Sequence, residues 1–125
     1  MLTLMLLPDE LLVARLPAHA PVPAWALAAP FFSITRTADE LSVVCPIQAA
    51  PDELPAERGW RCLQVAGPLD FSLVGILASL VGPLQEVGVS VFVISTYDTD
   101  YVMVKARQLA AALDALSGAG HTIQR

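Results

Sequence analysis

Positive charge is scarce in this chain: seven lysines and arginines stand against twelve acids over 125 residues, for a formal charge of −5, and they form no cluster. A surface that holds nucleic acid needs a basic patch to offset phosphate repulsion, so no nucleic-acid partner is expected. Cysteine is scarcer still. Cys45 and Cys62 lie in separate apolar, strand-like runs with no CxxC spacing and no neighbouring histidine, which argues for buried reduced thiols and against a metal site. His19 and His121 stand far apart, with no serine or cysteine in a recognisable nucleophile turn, so nothing supports a hydrolase. Long hydrophobic runs are missing too. The opening Met1–Leu7 is apolar but has no basic flank and ends at Pro8-Asp9-Glu10, far short of the roughly 20 residues of a membrane span. These absences lead us to expect a cytoplasmic protein with no membrane contact and no cofactor.

Apolar residues are what the chain does have, at 55% of the total, enough for one compact domain or two very small units sharing a core. Leu11–Leu16 reads as a strand ended by Pro17, followed by a Pro-rich stretch with room only for a helical turn near Trp25–Ala28. Segments 31–36 and 41–45 form an expected hairpin around Thr37-Ala38-Asp39-Glu40. After a polar connector over 51–59, the strand pattern resumes at Trp60–Ala66. Leu73, Ile76, Leu77, Leu80, Leu84 and Val87 then recur at helical spacing, which predicts a helix over 72–87, capped by Asp70 or Ser72, interrupted by Pro83 and ended by Gly88. Strands over 89–95 and 101–105, a helix over 108–116 and a short strand over 121–123 complete a β-α-β-β-α-β order. Trp25 and Trp60 are expected as core or interface anchors.

A shift of sixty residues lays Phe32 on Phe92, Ile34 on Ile94, Leu41 on Tyr101 and Val44 on Val104, whereas the preceding strand fits better at fifty-one, Pro17 on Pro68. The two hairpins read either as copies or as chance likeness between apolar hairpins. The expected fold class is α+β, two ferredoxin-like βαββαβ units in tandem over 1–58 and 59–125. The first is shortened, and each has an antiparallel sheet with its helices on one face. Pairing of sheet edges or homodimerisation would bury the apolar surface left over.

Polar chemistry gathers at one place, Ser95-Thr96-Tyr97-Asp98-Thr99-Asp100, between two apolar strands. These residues serve a ligand site or simply satisfy their own turn. Gly75 reads as a close helix-to-strand packing point or as a place where a ligand approaches main-chain amides. Asp98 and Asp100 alone would give a weak Mg²⁺ or acid-base pair, the basis of a metal-enzyme alternative.

Val74-Gly75-Ile76-Leu77, Gly88 and Val89-Ser90-Val91 together resemble the start of an ACT domain, the ferredoxin-like module that senses amino acids. Trp25-Ala26-Leu27, Phe31–Thr35, Glu40–Pro46, Gly67-Pro68-Leu69 and Ile94–Asp100 are similar to the tandem-ACT family related to the CASTOR arginine sensors. The resemblance implies a non-catalytic regulatory or sensor protein, an ACT-like homodimer that binds an amino acid or similar zwitterion. The matching ligand positions are Leu73, Val74, Gly75 and Ile76 in the first loop and Ser95, Thr96, Tyr97, Asp98 and Asp100 in the hairpin. Asp98 or Asp100 would hold the ammonium and Tyr97 would face the side chain. Many ACT sequences carry a charged pair before this glycine, and this one has Ser72-Leu73-Val74; arginine as the ligand does not follow. The alternative function is a ligand-free assembly module pairing through its sheets.

Overall fold

Among the described residues alternating apolar side chains build eight strands, and two stretches of helical periodicity build two α-helices. The computed structural model describes residues 1–70 and 73–125. Its strands are β1 (Thr3–Leu6), β2 (Leu11–Leu16), β3 (Ser33–Arg36), β4 (Leu41–Pro46), β5 (Ala56–Val65), β6 (Val91–Ser95), β7 (Asp100–Lys105) and β8 (Thr122–Gln124); the helices are α1 (Ile76–Glu86) and α2 (Leu109–Gly118). The fold is α+β with mostly antiparallel pairing. Contacts divide the chain into a smaller unit, Asp9–Trp60, and a larger one, Met1–Pro8 with Arg61–Arg125.

In the smaller unit the strand order is β3-β4-β2 followed by the first half of β5. Leu12 and Ala14 of β2 and Leu41, Val43 and Cys45 of β4 face one side, where Ala26 and Ala50 complete a buried cluster. Both crossovers are single 3-10 turns, Ala24–Leu27 and Ile47–Ala49, because the prolines of 17–30 and 46–55 remove amide donors that longer helices would need. Trp25 packs against the cluster half-buried, and Trp60 is buried opposite Leu11. β5 begins at Ala56, four residues ahead of the expected Trp60, since its polar start Glu57-Arg58 hides the strand in the sequence. The register slips between Leu11/Trp60 and Val13/Glu57, and Gly59 at φ +80° supplies the bulge.

In the larger unit the expected β-α-β-β-α-β order is present as the second half of β5, α1, β6, β7, α2 and β8. A fifth strand joins it. β1 lies between β5 and β8, antiparallel to β5 (Leu4 opposite Val65) and parallel to β8 (Leu4 opposite Ile123), giving β6-β7-β5-β1-β8. The division of the contacts therefore differs from a cut near Arg58: residues 1–8 pack with 61–125, because both edges of β1 are hydrogen-bonded there and Leu4 is in that core. α1 and α2 bury Leu80, Leu84, Ala112, Leu113 and Leu116 against Leu4, Leu63, Val65, Val102 and Val104. Cys62 is also fully buried, and burial pushes its thiol up to about 12.

α1 is shorter than its apolar periodicity. Gly75 sits at the N-cap with φ +78°, a left-handed conformation no helix interior accepts, so Leu73 and Val74 fall in the loop. The Ser72 cap lies outside the described residues, and Asp70 stands too far ahead of the Gly75 cap to serve α1. At the other end Gly88, at φ +74°, closes the helix as expected, with the Val89 amide donating to Leu84 O at 3.0 Å and the Gly88 amide to Gln85 O at 3.0 Å. Pro83 has no amide to offer the Ser79 carbonyl, one turn earlier. His121 fills that gap, its Nε2 lying 3.0 Å from Ser79 O. The Leu2 amide donates to the other ring nitrogen, Nδ1, at 3.1 Å. An amide can only donate, so Nδ1 accepts and the proton sits on Nε2, which donates to Ser79.

Candidate functional site

A cavity of about 200 Å³ opens between the loop after β5 and the β6–β7 hairpin of the larger unit. Two features of the sequence bring these elements together. Gly67 admits the hairpin: a Cβ there would stand 3.1 Å from Asp98 O and 3.2 Å from both Leu69 N and Thr99 Cβ. The Leu69 amide then donates to Asp98 O at 2.6 Å, and buried Thr99 donates its hydroxyl to Val65 O at 2.6 Å. Loop and hairpin are thus fastened at the base, with the cavity above.

Of the positions singled out from the sequence, Leu73, Ile76, Ser95, Thr96, Tyr97, Asp98 and Asp100 line this cavity. Val74 and Gly75 are not among its lining residues. Val74 is 91% exposed, and nothing lies within 4 Å of where a Gly75 Cβ would be, so the glycine serves its positive φ and not close packing. Thr99, from the polar run read in the sequence, also lines the cavity, as do Leu69 and Asp70, which were not among the ligand positions matched from the sequence. The Gly67-Pro68 pair was the available signal for Leu69 and Asp70, since it breaks the strand just ahead of them.

The hairpin's hydroxyls divide into two sets. Thr96 serves its own turn: its amide donates to Thr99 O at 2.9 Å, and the Thr99 amide donates to its hydroxyl at 3.3 Å. Ser95 donates to the Asp100 carboxylate at 2.6 Å, which fixes that acid at the mouth of the hairpin. Among the described residues three carboxylates, Asp70, Asp98 and Asp100, line the cavity together with apolar Leu69, Leu73 and Ile76, and no basic side chain does. Such a lining attracts a cationic group and can bury an apolar one. Beside it, burial, reinforced by Cys62 and Asp98, raises the Tyr101 phenol above its ordinary value. Ile76 opens α1, so the helix's positive end also borders the space. The volume is below the roughly 300–1,000 Å³ of drug-sized sites and suits a molecule of amino-acid size. Among the described residues no three His, Cys, Asp or Glu side chains are placed to hold a metal ion, and no described helix is long and apolar enough to cross a membrane.

Comparison with known proteins matches residues 56–118 to the ACT-domain family model and residues 9–53 to a model described as an N-terminal domain. The cytosolic arginine sensor for mTORC1 subunit 1 of Rattus norvegicus is 32% identical over 95 residues, covering 70% of this chain and 29% of that protein. The chain therefore spans under a third of the length of that relative. Among solved structures, an Agrobacterium tumefaciens protein superposes with TM-score 0.92 at 40% identity, covering 98% of this chain and 91% of its own. The regulatory subunit of aspartate kinase from Thermus thermophilus has the same fold, with TM-score 0.61 at 13% identity over 90% of this chain and 93% of its own.

Proposed function

Since the chain belongs to the ACT-domain family, we propose that it is a non-catalytic regulatory or sensor protein whose larger unit binds an amino acid or a similar zwitterion. The observation that carries this reading is the cavity that Leu69, Asp70 and Leu73 share with the Ser95–Asp100 hairpin. A ligand ammonium would pair with Asp98 or Asp100, its carboxylate would face the amides at the start of α1, and Leu69, Leu73 and Ile76 would take up apolar atoms. The amino-acid class is supported by the cavity's size and by the arginine-sensing relative's name; arginine itself is not implied.

Two ferredoxin-like units in tandem are supported by strand order. The smaller unit's β3-β4-β2-β5 and the larger unit's β6-β7-β5-β8, once β1 is set aside, run through the same sequence of motif strands. A homodimer is supported by the exposed apolar side chains beside the cavity, Leu73, Val74 and Tyr97, at 51%, 91% and 79% exposure. A cytoplasmic setting follows the relative's cytosolic description.

Thermal unfolding in the presence of each of the twenty amino acids tests the reading. A ligand at 100 times its Kd that binds only the folded state adds about 2.7 kcal/mol. Stabilisation by one or two amino acids is expected, and indifference to all twenty would refute ligand binding. That second outcome would favour a ligand-free assembly module, a reading supported by β3 and β6, each of which pairs along one edge only among the described strands.

A further inference from the structure

The smaller unit contains its own loop and hairpin in the arrangement that frames the cavity in the larger one. The turns are built alike. In one, the Thr37 amide donates to Glu40 O at 2.9 Å and the Glu40 amide to Thr37 Oγ1 at 3.2 Å; in the other, Thr96 and Thr99 make the same two bonds at 2.9 and 3.3 Å. This equivalence sets Arg36 on Ser95 and Asp39 on Asp98.

Between loop and hairpin the units then part ways. In the larger unit, Asp98 O accepts from the Leu69 backbone, and Ser95 is short enough to leave the cavity open. In the smaller unit, Asp39 O accepts instead from the Arg15 guanidinium at 2.8 Å. Arg36 reaches across to the loop after β2, donating through Nη1 to Ala18 O and through Nη2 to Ala20 O, the latter at 2.8 Å. A guanidinium presents a planar fork of donors, and these two carbonyls two residues apart receive both prongs.

We propose that the smaller unit holds the counterpart of the cavity in a self-occupied form, the Arg36 guanidinium bridging hairpin and loop across the space that stays open in the larger unit, so that each chain offers one small-molecule site. The inference rests on reading the two units as related copies. The class of group this second site takes is a guanidinium, supplied by the chain itself, and residue 36 decides whether the site is closed.

Amide spectra of the full chain, recorded with methylguanidinium chloride and with sodium chloride as control, test this. In the Arg36→Ala variant, methylguanidinium should shift the amides of residues 18–20 and 37–40 saturably while sodium chloride does not. In the unaltered protein, where the position is filled, those amides should stay in place. Equal shifts in both proteins, or none in the variant, would overturn the proposal. To keep the test independent of how the variant's loop settles, the unaltered protein supplies a second readout. The Arg36 guanidinium should show hindered rotation relative to Arg125, and free rotation at Arg36 would equally overturn it. Neither measurement involves Ser95–Asp100, so amino-acid binding there can fail while this inference stands, and the reverse.

Discussion

Replacing His121 with phenylalanine should cost about 2 kcal/mol, and the loss should depend on residue 83. The ring bridges two backbone groups, accepting from the Leu2 amide at 3.1 Å and donating to Ser79 O at 3.0 Å, in a residue only 7% exposed. Each such bond contributes about 1 kcal/mol net, and phenylalanine keeps the ring while losing both. For a chain between the 100- and 150-residue classes, about 2 kcal/mol corresponds to a fall in Tm of roughly 8 °C. Pro83→Ala restores an amide that donates to Ser79 O within the helix. That bond matters most when the imidazole is gone, so the gain from Pro83→Ala should be larger by about 0.5–1 kcal/mol in the His121→Phe background than in the native one. Urea unfolding followed by circular dichroism on the four proteins of the cycle measures this coupling, with the general helix-propensity gain of alanine over proline cancelling. A His121→Phe protein as stable as the native one, or a Pro83→Ala gain identical in both backgrounds, would refute the compensation.

Gly67→Ala should destabilise by about 1–3 kcal/mol, because its Cβ would meet Asp98 O and Leu69 N at 3.1 and 3.2 Å, both backbone atoms; urea unfolding reads this, and a neutral variant would show the loop and hairpin to be less tightly joined. Asp100→Ala should abolish stabilisation by whichever amino acid raises the native Tm while leaving the unliganded Tm within a degree or so, as befits the loss of one exposed pair with Ser95; an undiminished ligand shift would remove Asp100 from the site. The Cys62 thiol, raised by burial from its ordinary 9.0 to about 12, stays protonated in the folded protein after the unfolded chain has ionised. Stability should therefore fall as pH rises from about 9 towards 12, and Cys62→Ala should flatten that part of the curve in a pH series of urea unfolding.

Several elements were legible because local chemistry decides them. The apolar spacing at Leu77, Leu80 and Leu84 announces α1, Gly88 announces its end, and the polar run Ser95–Asp100 announces the hairpin. The correspondence between the two hairpins read from apolar matching is one residue away from that of their strand registers. Superposing the closing pairs, Arg36 opposite Leu41 and Ser95 opposite Asp100, requires a shift of 59, whereas apolar matching had given sixty. A single-residue slip exchanges the two faces of a strand, and runs apolar on both faces, such as Val91–Ile94, cannot report it.

What the sequence by itself determined is the kind of elements and their order, since propensity, turn residues and periodicity act over a few neighbours. It also concentrated the polar groups at one hairpin. Tertiary structure decided that β1 belongs between β5 and β8, that Leu69, Asp70 and Thr99 complete the cavity, and that His121 answers the carbonyl freed by Pro83. Each of these joins residues tens of positions apart through edge pairing, close backbone approach or a single hydrogen bond. Such contacts leave no periodic trace along the chain and exist only when the sheet has brought their partners within a few ångströms.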